Sequence, residues 1–345
     1  MTATRCGTIA AMASAFALAM MSVAFAQSAP VTFRASLDTS ATHHRTISVD
    51  DYLKKVAAAS NGGIKTQLFH SGQLFKDVNV VKGLREGSIE MAVPGVWVLT
   101  GFVADADLVQ LPALYGQPFD AQLAIIDGPV GQKVNAQLEA KLGVKILGPW
   151  LNLGFTNYFS TKKPLNDFAD LAGLKIRNSG GAGQSLRAKF FDAIPNMTPW
   201  PDVPLALAQG TFDALATTNE SVASAKLYDS GVKFAFEDHQ YLAFYIPMVS
   251  GVVWAKLNAA QQKLLIDTWA QNIPTYRQNM EAAQIAARKE LIEHGVKFTV
   301  PPPDKIAEVR AKMVAEQDAV AKELKLTPAL VKEVTEEILA KTQTH

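Results

Sequence analysis

The stretch Leu174-Lys-Ile-Arg-Asn-Ser-Gly-Gly-Ala-Gly-Gln-Ser-Leu-Arg-Ala-Lys-Phe-Phe191 contains one complete step of a layered α/β fold. Leu174 and Ile176 alternate with polar neighbours, which predicts a strand over 174–178 with one apolar face. Gly180-Gly181-Ala182-Gly183 interrupts the extended run, and the residues after it predict a short helix over 185–191. Strand, glycine turn and helix in that order form the unit of α/β architecture. Arg177 ends the strand beside the turn, at the carboxyl end where open α/β sheets place their ligands. A guanidinium there offers a planar fork matched to a carboxylate, and the plainer alternative is a surface ion pair with Asp170 or Asp192.

The same grammar extends in both directions. Upstream, strands are predicted over 31–37, 64–69, 89–93 and 144–150. Between them lie helices over 48–60, capped by Ser48 and stopped by Asn61-Gly62-Gly63, over 77–87, and over 122–142. Downstream, strands are predicted over 158–161, 212–216 and the apolar run 246–254, with a helix over 204–209. Asn258 caps a long helix reaching Glu293, and two more helices cover about 303–324 and 328–341. The chain exceeds one typical domain and shows no low-complexity linker, so the expectation is two α/β lobes that exchange strands near 151–154 and 239–243. The division this gives is 27–153 with about 243–282 as one lobe, and 154–242 with about 283–345 as the other.

Composition narrows the function. Of 345 residues, 48% are hydrophobic, enough for one or two substantial cores, and 33 basic against 32 acidic side chains leave a formal charge of +1. Without a basic run there is no electrostatic footprint for nucleic acid. Arg5, the uncharged apolar stretch 9–23 and Ala24-Phe25-Ala26 have the form of a secretory leader over 1–26, cut before Gln27. The apolar stretch is too short to span a bilayer. Cys6, the single cysteine, falls in the leader, so the exported chain is expected to have no disulfide, Cys-ligated zinc or cysteine nucleophile.

No catalytic constellation emerges. His43 and His44 are adjacent and are expected to point to opposite sides of a strand, the remaining histidines are scattered, and none has a metal-ligand partner at i+3 or i+4. A Gly-x-Ser-x-Gly elbow is absent. The turn 180–183 lacks dinucleotide spacing, which leaves amides that face an anion at a helix N-terminus. Spacing implies neither a metal nor a cofactor.

Lys163-Pro-Leu165, Asp170-Leu-Ala-Gly-Leu-Lys-Ile-Arg177, Trp200-Pro-Asp-Val-Pro-Leu-Ala-Leu-Ala-Gln-Gly210 and Phe212-Asp213 resemble the solute-binding subunits of TRAP transporters, the DctP family. Ser60-Asn-Gly-Gly-Ile64, Ser71-Gly-Gln-Leu74 and Leu84-Arg-Glu-Gly-Ser-Ile-Glu-Met91 look like the first lobe of the same family. The resemblance spans essentially the whole chain after the leader. It implies a monomeric periplasmic receptor of the two-lobe periplasmic binding protein fold, with a ligand cleft between the lobes and a long bridging helix. Such a receptor closes on a small organic acid and delivers it to a membrane permease driven by an ion gradient.

By the same resemblance Arg177 matches the arginine that grips the ligand carboxylate, and Trp200 occupies the position of a stacking aromatic. Phe212-Asp213-Ala214 lacks the family's second glycine, and Thr217, Thr218 and Asn219 stand where a polar contact is usual. Asn157, or Thr156 by a one-residue shift, replaces a second arginine found in many members, which tilts the expected solute toward a hydroxylated monocarboxylate. His43 or His44, Arg45, Gln73 and Arg85 are the residues available to restore that charge. Trp97 either lines the cleft or packs in the core, Tyr241 and Tyr245 flank the second crossing, and His239 is a hinge or surface residue. An exported enzyme, which needs a nucleophile or base not found here, and a sensor serving another membrane partner are the competing classes.

Overall fold

The computed structural model describes residues 30–342, so the leader over 1–26 and Cys6 lie outside the described residues. The strands are β1 (Val31–Ser36), β2 (Ile64–Phe69), β3 (Met91–Ala92), β4 (Val144–Ile146), β5 (Leu151–Phe155), β6 (Asn157–Ser160), β7 (Lys175–Asn178), β8 (Ile194–Met197), β9 (Ala214–Thr217), β10 (Phe234–Phe236), β11 (Leu242–Tyr245), β12 (Met248–Ser250) and β13 (Lys297–Thr299). They build a first sheet in the order β2-β1-β3-β12-β4, a second in the order β13-β10-β6-β9-β7-β8, and a ribbon of β5 with β11.

In the first sheet β1 runs parallel to β2 in register from Val31↔Ile64 to Ser36↔Phe69, and parallel to β3. Parallel neighbours need a crossover, which helix His44–Ala59 supplies. In the second sheet β7 lies parallel to both β8 and β9, joined by helix Ala182–Phe190 and helix Val203–Ala208. The chain passes from the first sheet to the second through β5 and returns through β11, its antiparallel partner. At the outward crossing Gly154 has φ +79°, and a Cβ there would stand 2.8 Å from Gln284 Cγ, so only glycine fits without strain.

Helix Ala259–Glu293 packs against helix His44–Ala59, β5 and helix Asn219–Ser224, and so touches elements of both sheets. It starts at Asn258 with a reciprocal cap in which Asn258 and Gln261 each satisfy the other's backbone N–H. Trp269 meets Tyr52 edge-on at 5.3 Å, and the Tyr52 hydroxyl donates to Leu265 O.

Several expectations are corrected. The first helix begins a turn early, capped by His43 instead of Ser48, so the His43–His44 pair opens a helix and not a strand. The helix expected over 122–142 is two helices, Phe119–Asp127 and Pro129–Leu142, because Gly128-Pro129 breaks the hydrogen-bond ladder. The run 246–254 is strand only over β12 and turns helical at Gly251. The segment expected over 303–324 divides into helices Pro303–Ala315 and Gln317–Glu323. In helix Pro328–Thr342, Leu330, Val331, Val334 and Ile338 bury into the core of the first sheet.

Candidate functional site

Loops at the carboxyl ends of β1, β3, β7, β8 and β9, with the crossing ribbon, enclose one cavity. Its walls include Asp38, Thr39, Asp77 and Trp97 from the first sheet's side, Arg177, Ser179, Trp200, Thr217, Thr218 and Ser221 from the second, and Thr156, Tyr241 and Tyr245 around the crossings. Its volume is about 30 Å³.

Of the residues singled out from sequence, Arg177, Trp200, Thr217, Trp97 and Tyr241 share this cavity. Asn157, Asn219, His43, Gln73, His44, Arg45, Arg85 and His239 do not line it. The Asn157 side chain faces away and accepts the His239 backbone N–H at 3.1 Å, whereas Thr156, one step along, lines the wall, as strand alternation requires. Asn219 donates to Glu237 at 3.0 Å. His43 is buried against Glu220 and Ser221, and Gln73 lies exposed.

Arg177 is 1% exposed and touches neither Asp170 nor Asp192. Its Nε donates to Thr198 O at 2.9 Å and its Nη1 to Ser179 Oγ at 3.1 Å, while Nη2 has no partner among the described residues. The Trp200 ring centre lies 5.4 Å from the guanidinium carbon. Burial pulls this arginine down to about 10, and the Asp38 charge offsets only part of that.

Composition and periodicity gave no sign of Asp38 and Asp77, which are buried beside the cavity. Arg45 holds both: Nη1 donates to Asp38 at 2.9 Å, and Nη2 to both oxygens of Asp77 at 2.9 Å and to Val93 O at 2.7 Å. Its guanidinium sits 4.2 Å from the Tyr245 ring centre. Arg45 is thus consumed by these carboxylates and supplies no free charge to the cavity. Asp77 is pushed up by burial, which Arg45 opposes.

The two sides also meet outside the cavity. Lys76 pairs with Asp202 at 2.7 Å, and Arg187 donates to the Gln110 side chain and carbonyl. The Gly183 amide donates to Asp107 at 3.2 Å, so the anion at the glycine turn is the protein's own carboxylate. A Cβ on Gly183 would stand 2.7 Å from Gln110 Cβ, so glycine permits this approach. His43 Nδ1 accepts the Arg45 N–H, which leaves the proton on Nε2, 2.8 Å from Glu220 and 3.1 Å from Ser221. Glu220 also accepts the His44 N–H at 2.9 Å and so caps a helix of the opposite side. Burial works against the Glu220 carboxylate, but His43 and His44 outweigh it and hold the group at about 2.

Two α/β lobes, a strand-exchanged crossing, a helix touching both sides and a buried arginine in an enclosed interlobe cavity define a two-lobe solute-binding protein. The chain belongs to the bacterial extracellular solute-binding proteins, family 7, the DctP family, whose pattern matches residues 36–323. It is 27% identical over 251 residues to the 2,3-diketo-L-gulonate-binding periplasmic protein YiaO of Escherichia coli (strain K12), covering 73% of this chain and 75% of that one. Its fold superposes with a TM-score of 0.84 on the sugar acid binding protein DctPAm of Advenella mimigardefordensis in complex with galactonate, at 19% identity, over 90% of this chain and 98% of that one. A TRAP periplasmic solute-binding protein of Sulfurospirillum deleyianum with bound succinate gives 0.80 at 23% identity, over 89% and 98%. No helix among the described residues is long and apolar enough to cross a membrane.

Proposed function

We propose that this protein is an extracytoplasmic receptor that closes on one small organic acid and delivers it to the membrane subunits of a TRAP-type permease. The observation that carries the reading is buried Arg177 on the wall of the interlobe cavity, with Nη2 free of any partner among the described residues. A ligand carboxylate there completes the guanidinium, and Trp200 covers the apolar part of the solute. Thr156, Thr217 and Tyr241 supply hydroxyl groups around it. Closing expels water and strengthens the charge-assisted bonds. Strand exchange supports lobe boundaries close to 153 and 243, with the terminal helix docked on the first lobe. The relatives' ligands, a diketogulonate, galactonate and succinate, support the acid class without choosing within it.

The test is a thermal-shift screen of ligand-stripped protein against small organic acids, each beside its uncharged amide. A ligand at ~100 times its dissociation constant adds about 2.7 kcal/mol to native stability, a shift of several degrees. An acid that stabilises where its amide does not supports the reading. Stabilisation by neutral polyols or amines and by no acid overturns it.

A further inference from the structure

The cavity sets two buried charges against each other without joining them. Arg177 stands on the wall from the second sheet and Asp38 on the wall from the first, at 1% and 7% exposure. The Asp38 charge is felt at Arg177, yet the two form no salt bridge. Asp38 Oδ1 is taken by Arg45, whereas Oδ2 accepts no hydrogen bond among the described residues. On the opposite wall Arg177 Nη2 donates none. The cavity walls therefore carry a cationic donor and an anionic acceptor, each with a hydrogen-bonding atom to spare. Among the lining residues the charged groups are Asp38, Asp77 and Arg177, so the cavity holds one available cation.

We propose that Asp38 is a specificity-determining residue that selects a monocarboxylate bearing a hydrogen-bond donor, hydroxyl or ammonium, on its chain. The inference rests on the organic-acid reading above and deepens it. The acid end meets Arg177 and the donor meets Asp38 Oδ2. A plain fatty acid would strip water from Oδ2 and give it nothing in return. A dicarboxylate would set its second anion against Asp38 in a dry cavity without a second cation. Sites built to bond a ligand hydroxyl or N–H reject the analogue lacking it by far more than a methylene-sized pocket does.

The experiment is calorimetry of the full exported chain with propionate, lactate, alanine, hexanoate, gluconate and succinate, repeated on Asp38→Asn. Asparagine keeps the volume and an oxygen for Arg45 Nη1. The expected result is that a hydroxylated or amino acid binds at least about 100-fold more tightly than its unsubstituted partner and than succinate. In Asp38→Asn that ratio is expected to fall below about tenfold. The lactate, alanine and gluconate arms tell hydroxyl from ammonium. If the variant does not fold, as thermal unfolding reports, the wild-type ratios decide alone. Propionate, hexanoate or succinate binding as tightly as the substituted acids overturns the role of Asp38 and leaves the organic-acid reading intact. Binding of a neutral polyol or amine and of no acid overturns both.

Discussion

Replacing Arg177 by methionine is expected to move two measurable quantities in opposite senses. Burial depresses this arginine to about 10, which corresponds to roughly 3 kcal/mol of unfavourable charge burial in the closed cleft. Opening the cleft hydrates the face of the guanidinium that lines the cavity, so this term resists closure without ligand. Methionine keeps an apolar stem and removes the charge. The bonds to Thr198 O and Ser179 Oγ stay on the second sheet's side, so their loss costs about 1 kcal/mol each in stability and leaves the closure equilibrium alone. Removing the charge therefore favours ligand-free closure. Ligand affinity is expected to fall by about 2–5 kcal/mol, because the carboxylate loses its buried partner. Residues 30–342 contain no cysteine, so cysteines introduced at exposed Lys82 and Lys162 would carry fluorophores for the interlobe distance. Calorimetry on the same variant gives the affinity. Wild-type affinity in Arg177→Met would refute the clamp, and an unchanged distance distribution would refute the role of its buried charge in closure.

Trp200→Ala removes the ring beside Arg177, and calorimetry should show binding weakened by about 0.5–2 kcal/mol, with little change in unfolding temperature because the ring is only partly buried. Glu220 titrates at about 2 in the folded protein and near 4.3 when unfolded, so its contribution is complete above pH ~4.3 and is lost as pH falls through 2. Urea denaturation between pH 5 and 2 should show a loss of about 3 kcal/mol that is missing in Glu220→Gln. Gly154→Ala forces a side chain onto φ +79° and against Gln284, and denaturation should register a cost of about 1–3 kcal/mol. Asn157→Ala frees the His239 N–H at the crossing, and is expected to lower stability by about 1 kcal/mol while leaving affinity within a few-fold.

Much of the fold is legible because its elements carry local signals. The alternation of Leu174 and Ile176 and the glycines after Asn178 mark β7 and the helix beyond it, and Asn258 with Gln261 fixes the start of the long helix. Where tertiary contacts decide, local reading fails. His43 caps the first helix with a ring nitrogen, so Ser48, a residue of ordinary capping type, drew the boundary too late. The run 246–254 is apolar throughout, and apolarity alone does not separate strand from helix. In the site, Arg177 is readable from its place at a strand end. Asp38 and Asp77 are not, because each is buried only through Arg45, a partner that the fold brings to both. Thr156 against Asn157 is a matter of strand phase, which a single residue of register reverses.

The most direct measurement is mass spectrometry of the small molecule released when receptor purified natively from the extracytoplasmic compartment is denatured. The expected result is one monocarboxylic acid in near-equimolar amount, carrying a hydroxyl or amino group, and absent from Arg177→Met purified in parallel. A stoichiometric ligand without a carboxylate, or the same acid retained in equal amount by Arg177→Met, would contradict the account.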